Sequence, residues 1–190
     1  MKRHVIVALV LIGLVTLGCG GKDKTDGKGT TPVDGKTGDV TPTKDGSKSE
    51  ELTYAGLAIT VPGDWEVSEE ENLFRVYSPG DIVLLQIQEF SSESWKDFMA
   101  KAESKMNEYL KNDLGPDYKV SKKGEEKING INSYYFNYSY EDADYGKAVC
   151  YTYAVETGKG ITMLTFDVLE DGLKDYQKAL SDIKASVAVK

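Results

Sequence analysis

From residue 51 onward the apolar positions fall into short runs whose period changes along the chain. Leu57-Ala58-Ile59-Thr60-Val61 reads as a strand, and Pro62-Gly63-Asp64 punctuates it before Trp65. Residues 73–77 and 82–90 read as two more strands about the turn Ser78-Pro79-Gly80-Asp81, and the unbroken Ile82-Val83-Leu84-Leu85 asks for burial on both faces. The period then lengthens. Trp95, Phe98, Met99, Ala102, Met106, Tyr109 and Leu110 lie on one stripe of an α-helix. Ser94 with Asp97, or Ser91 and Ser92 before them, offers the N-cap, and Gly115-Pro116 stops the helix. Core packing accounts for this aromatic stripe better than a cofactor box does.

The strand period returns after the helix. Residues 118–127 are polar enough for an edge strand, and Asn129-Gly130 between Ile128 and Ile131 is a tight-hairpin signal, because both residues tolerate positive φ. Tyr134, Phe136, Tyr138 and Tyr140 then alternate with Ser133, Tyr135, Asn137 and Ser139. Val149, Tyr151, Tyr153 and Val155 share a face of the next strand, and Leu164, Phe166 and Val168 share one after the turn Thr157-Gly158-Lys159-Gly160. Hairpin-linked strands of this kind make an antiparallel meander. A last helix carries Leu173, Tyr176, Leu180, Ile183 and Val187 on one side. The fold class expected is α+β, an antiparallel sheet with packed helices, as one domain over residues 51–190. About 140 residues can bury roughly two-thirds of their unfolded surface, enough for a core without staples.

Residues 20–50 have a different composition. They contain no aromatic residue, and Val33 and Val40 are the only aliphatic ones. Gly, Lys, Asp and Thr dominate, so the segment cannot offset chain entropy by burial and reads as a flexible linker. Its 31 residues give an r.m.s. reach of about 30 Å. The recurring Asp-x-x-Gly-Lys has no ordered scaffold and is read as solvated.

Before this linker, Lys2 and Arg3 precede an uncharged apolar run at residues 5–17, which ends in Val15-Thr16-Leu17-Gly18-Cys19. That run is 13 residues long, a signal-peptide length and short for a membrane span of about 20. Its end resembles the lipobox of bacterial lipoprotein signal peptides. The resemblance implies cleavage before Cys19, with residues 1–18 removed, a diacylglycerol on the cysteine sulfur, and residues 19–50 as the lipidated tether. Thr16 and Leu17 stand where the commonest lipobox has Leu and a small residue, and two other readings remain: cleavage elsewhere, or an uncleaved anchor. Two chains of ~16 carbons at ~0.8 kcal/mol per buried CH₂ would hold the protein stably on a bilayer. The localisation expected is extracytoplasmic, on a membrane of the cell envelope.

This reading narrows the chemistry. His4 is the only histidine and lies in the segment expected to be removed. The mature chain would then lack imidazole, which excludes Ser-His-Asp and Cys-His catalysis and histidine metal ligands. With Cys19 lipidated, Cys150 leaves no internal disulfide available to the exported domain, since the chain has two cysteines. Cys150 reads as a small strand residue; Lys147 is the only group near it in sequence that could stabilise a thiolate. Residues 51–190 hold 15 basic and 25 acidic groups, a net of −10. Such a domain is repelled by nucleic acid and by anionic headgroups.

Two acidic clusters remain. Asp142-Ala-Asp144-Tyr-Gly146 has alternating carboxylates similar to the start of a calcium loop, but Tyr153 occupies the twelfth position, where the bidentate Glu belongs. A solvated hairpin loop is the better reading, and no metal or cofactor is expected. Glu69-Glu70-Glu71 reads as a solvated loop. Of twelve tyrosines, seven cluster over residues 134–153, and they suit either half-buried packing under helices on both sheet faces or a binding surface.

The phrases Gly56-Leu57-Ala58-Ile59-Thr60-Val61-Pro62-Gly63-Asp64-Trp65 and Ile128-Asn129-Gly130-Ile131 before an aromatic strand, with a Gly-bounded strand and C-terminal helix, resemble the Mog1/PsbP-like domain of small bacterial lipoproteins. The resemblance covers residues 52–188. It implies an α/β/α sandwich and an accessory or binding role, and it supplies no catalytic motif to carry over. The function expected is a non-enzymatic envelope lipoprotein that binds an envelope protein or component. The alternatives are a carboxylate- or metal-dependent enzyme acting on envelope glycans, and a small-ligand carrier with an apolar cavity between helix and sheet.

Overall fold

The computed structural model describes residues 48–70 and 72–190. Cys19, the apolar run before it and nearly all of the linker lie outside the described residues.

Strand β1 (Ser49–Tyr54) and β2 (Leu57–Pro62) form a hairpin, and β10 (Ala188–Val189) pairs with the other edge of β2 to complete a small antiparallel sheet. The larger sheet has seven strands: β3 (Glu66–Glu70), β4 (Leu73–Tyr77), β5 (Val83–Ser91), β6 (Tyr118–Ile128), β7 (Ile131–Asp142), β8 (Gly146–Thr157) and β9 (Gly160–Leu169). Their spatial order is β3-β4-β5-β9-β8-β7-β6, antiparallel throughout. Helices α1 (Trp95–Met99) and α2 (Ala102–Leu114) cross from β5 to β6, and α3 (Leu173–Ser186) follows β9. The expected α+β architecture is the one observed.

Each face of the large sheet has its own core. On one face Phe74, Val76, Leu85, Ile87, Leu164 and Phe166 pack with Leu57, Ile59 and Val61 of β2 and Ile183 of α3. On the other, Phe136, Tyr138, Cys150, Ala154 and Met163 pack under Phe98, Ala102, Met106 and Leu110. Alternation along a strand therefore sends successive residues into two different cores. Val83, Leu84 and Leu85 are all buried, as their unbroken run required.

Several local details differ from the sequence reading, among them Val187, which follows the end of α3 rather than lying in it. The stripe from Trp95 to Leu110 is two helices rather than one: Lys101 N–H bonds Phe98 C=O at 2.9 Å, closing α1 before α2 begins. Phe98, Ala102, Met106 and Leu110 remain on one buried side across the break. Glu69 and Glu70 lie in β3, which among the described residues pairs only with β4, an edge position where exposed carboxylates cost nothing. Finally, β1 was not apparent from its polar sequence; its hairpin turns at Ala55 and Gly56, with φ of 50° and 79°. Ala-Gly is not the usual residue pair for that geometry.

The Asn129-Gly130 turn is as expected, with φ of 52° and 84°. Asn129 does a second job: its amide donates to Ala185 and Val187 carbonyls at 2.7 and 2.9 Å, satisfying acceptors at the end of α3. A hairpin on one side of the domain thereby fixes where α3 stops.

Candidate functional site

α3 covers the large sheet over β9 but leaves part of β8 open beside it. The result is a groove of about 240 Å³ between Tyr151, Tyr153 and Phe166 on the sheet and Leu173, Leu180 and Lys184 on the helix. Tyr153 and Phe166 meet edge to face at 6.2 Å. Lys184 Nζ sits 4.5 Å from the Tyr153 ring centroid and donates to Glu126 at 2.7 Å. Burial pushes the Tyr153 hydroxyl up, against the opposing pull of Lys184. Burial alone would lower Lys184, but the bond to Glu126 and the Tyr153 hydroxyl outweigh it, so its net shift is upward. The groove thus offers ring faces, apolar side chains and one neutralised cation. That is the composition of a recognition surface.

Helices do cover both sheet faces, and most of the tyrosines serve that packing. Tyr134, Tyr138 and Tyr153 are buried, and Tyr118, Tyr135, Tyr140 and Tyr151 are half-buried. Packing therefore takes most of the rings, and Tyr151 with Tyr153 lines the groove. A second hollow, of about 440 Å³, lies by the β1–β2 turn among Tyr54, Asn72, Glu89, Lys159 and Lys190. Its lining is charged and of mixed sign, without converging rings.

The acidic loop at residues 141–146 is built as a hairpin connection. Asp142 Oδ1 accepts from the N–H groups of Asp144 and Tyr145, both at 2.9 Å, so one carboxylate is spent on the turn. Among the described residues no group of three or more His, Cys, Asp or Glu side chains is arranged to hold a metal. Cys150 is 1% exposed, facing α2.

A polar strip beneath α2 had no signal in the sequence. Thr152 and Thr165 hydroxyls meet at 3.1 Å, Tyr140 donates to Asp167 at 2.7 Å, and Gln88 donates to the Tyr109 hydroxyl at 2.8 Å. Arg75, 8% exposed, pairs with Glu70 at 2.5 Å. Asp113, near the end of α2, keeps a largely exposed side chain; partial desolvation of its carboxyl and then the like charge of Asp167 raise it, with Arg75 opposing. A raised folded-state value means the ionised carboxylate costs stability above the carboxylate range, and the cost vanishes as pH falls below the ordinary value of 3.8. Because water screens this exposed carboxyl, Asp113→Asn is expected to melt only slightly higher than the parent at pH 7, with the small gain disappearing on acidification through that range. Equal gains at pH 7 and pH 3 in thermal melts would show that the charge is not the cause.

No protein-family model matches this chain, and no curated protein sequence does. Solved structures do match. Cyanobacterial PsbP from Synechocystis sp. PCC 6803 superposes with a TM-score of 0.57 at 11% identity, over 81% of this chain and 99% of its own. A Pseudomonas aeruginosa protein of unknown function, PA94, gives 0.51 at 14% identity, over 75% of this chain and 97% of its own. LpqN, involved in cell envelope biogenesis of Mycobacterium tuberculosis, gives 0.48 at 16% identity, over 75% of this chain and 91% of its own. At such identities the likeness is one of fold. The domain is a PsbP-like α+β sandwich, the arrangement its sequence phrases resemble. Among the described residues no helix is long and apolar enough to cross a membrane.

Proposed function

We propose that this protein is a non-enzymatic envelope lipoprotein: a PsbP-like head, tethered through diacylglyceryl-Cys19, that binds an envelope protein or component in the groove beside α3. The observation that carries the binding role is the groove itself, where Tyr151, Tyr153 and Phe166 converge under Lys184. Rigid amphipathic rings at the rim of an open cleft suit recognition, because they lose little conformational freedom on binding. The anchor is supported by the sequence: the basic start, the apolar run and Cys19 at its end. A mature head without histidine supports a role without catalysis.

The anchor is tested by Cys19→Ala in the full chain. The parent is expected to stay with membranes through a high-salt wash, and the variant to pass to the soluble fraction or accumulate uncleaved. A variant whose mature form still fractionated with membranes would overturn the lipid anchor. The enzyme reading would draw on Asp113, an exposed carboxyl of α2 that is raised in part by the charge of Asp167. It requires that Asp113→Asn abolish a hydrolytic activity on envelope glycans, whereas the binding role has that variant fully functional.

A further inference from the structure

The edge strand β6 reverses its charge midway. Among the described residues it bonds to β7 alone, so the backbone groups along its other side face solvent. Its central residues are Lys122, Lys123, Gly124, Glu125 and Glu126: two cations, a glycine, two anions. Register with β7 sets the faces. Lys123 and Glu125 stand opposite Phe136 and Tyr134, which belong to the α2 side. Lys122 and Glu126 stand opposite Asn137 and Ser133, on the other side.

Directly opposed residues of an antiparallel pair point to the same face. A second β6 laid antiparallel about Gly124 therefore sets Lys123 against the second copy's Glu125, and Lys122 against its Glu126, each pair on one face and each made twice. The residue at the two-fold axis has no side chain to clash. Glu103 and Lys184, which already hold Lys123 and Glu126 within the chain, extend these pairs into an alternating network. We infer that β6 is a self-complementary docking edge, and that two copies of this chain join there into one continuous antiparallel sheet.

Lysine on an edge strand commonly guards against pairing. A guard needs one sign of charge; a run that changes sign about a glycine opposes an arbitrary strand but matches its own antiparallel copy. The register shift between Val120 and Lys122 ends the pairable stretch on one side. The contact is accordingly short, and the dimer belongs to the weak, reversible class.

Sedimentation velocity of the full chain in neutral detergent, over a wide concentration series, tests this. The parent is expected to show a monomer–dimer equilibrium. Lys123→Glu and Glu125→Lys each oppose like charges and are expected to weaken it roughly tenfold or more. Mixing the two variants restores opposite charges and is expected to return heterodimer to parental strength. Both positions are exposed, and matching thermal melts confirm that each variant folds. A parent monomeric throughout, single variants that dimerise like the parent, or a mixture that fails to recover would each overturn the inference. So would species growing beyond the dimer, which would mean head-to-tail pairing of β6 with the acidic β3 edge.

Discussion

Gly160→Ala is expected to destabilise the domain by about 3–5 kcal/mol, combining strain at positive φ with overpacking. Gly160 has φ of 126°, and a Cβ there would lie 2.2 Å from Ser91 O and 2.8 Å from Ser92 Cα. Both contacts are backbone, so no rotamer change relieves them. Relief requires β9 to move away from β5, and β5 and β9 join the two halves of the large sheet. Gly158, two residues earlier in the same turn, has nothing within 4 Å of its added Cβ. Gly158→Ala is expected to stay within about 0.5 kcal/mol of the parent. Urea melts of both variants separate a positional constraint from a general need for glycine in this turn. Equal losses would contradict the steric account.

Phe136→Ala is expected to cost about 3–5 kcal/mol, the range for removing a fully buried phenylalanine. Phe136 is 0% exposed, in the core that packs α2 on the sheet. In a domain of about this size that lowers the melting temperature by roughly 10 °C or more. The groove by α3 lies on the opposite face, in the other core. Binding per folded molecule is therefore expected to be unchanged below the melting transition. A variant that lost its ligand while still folded would show that the two cores are coupled, contrary to the two-faced architecture described above. Ile183→Ala, on the α3 side, is expected to lose stability and binding together, because Ile183 seats the helix that walls the groove.

Much of this fold was legible in the sequence because its signals are local. The alternation from Tyr134 to Tyr140, the Asn129-Gly130 turn and the glycine stop at Gly115 each follow from side-chain period or backbone freedom, and each is present in the structure. The elements that were missed owe their form to a pairing partner rather than to a pattern of their own. β1 is polar and becomes a strand by pairing with β2, and β10 is two residues long and exists only against the same strand. The break between α1 and α2 leaves the apolar stripe in phase, so periodicity alone cannot register it.

The site was less legible than the fold. Tyr151 and Tyr153 were visible as an excess of rings, but their use depends on which part of β8 escapes α3, a matter of tertiary packing. Lys184 and Glu126 lie 58 positions apart and meet only once α3 has folded back beside β6 and β7. The polar strip under α2 was invisible for the same reason: Tyr140, Asp167 and Arg75 come from three separate strands. Acidic loops that stood out in the sequence had simpler uses, Asp142 in its own turn and Glu70 in the pair with Arg75.

The central claim is that the head works by binding through the groove beside α3. A photoreactive benzophenone residue in place of Ser181, at the groove, tests it most directly in the full chain in intact cells, with Lys96 on α1 as the position for comparison. The account predicts a discrete cross-linked adduct from position 181 that is absent from position 96 and lost when Tyr151→Asp is added. No adduct from position 181, or the same adducts from both positions, would contradict it.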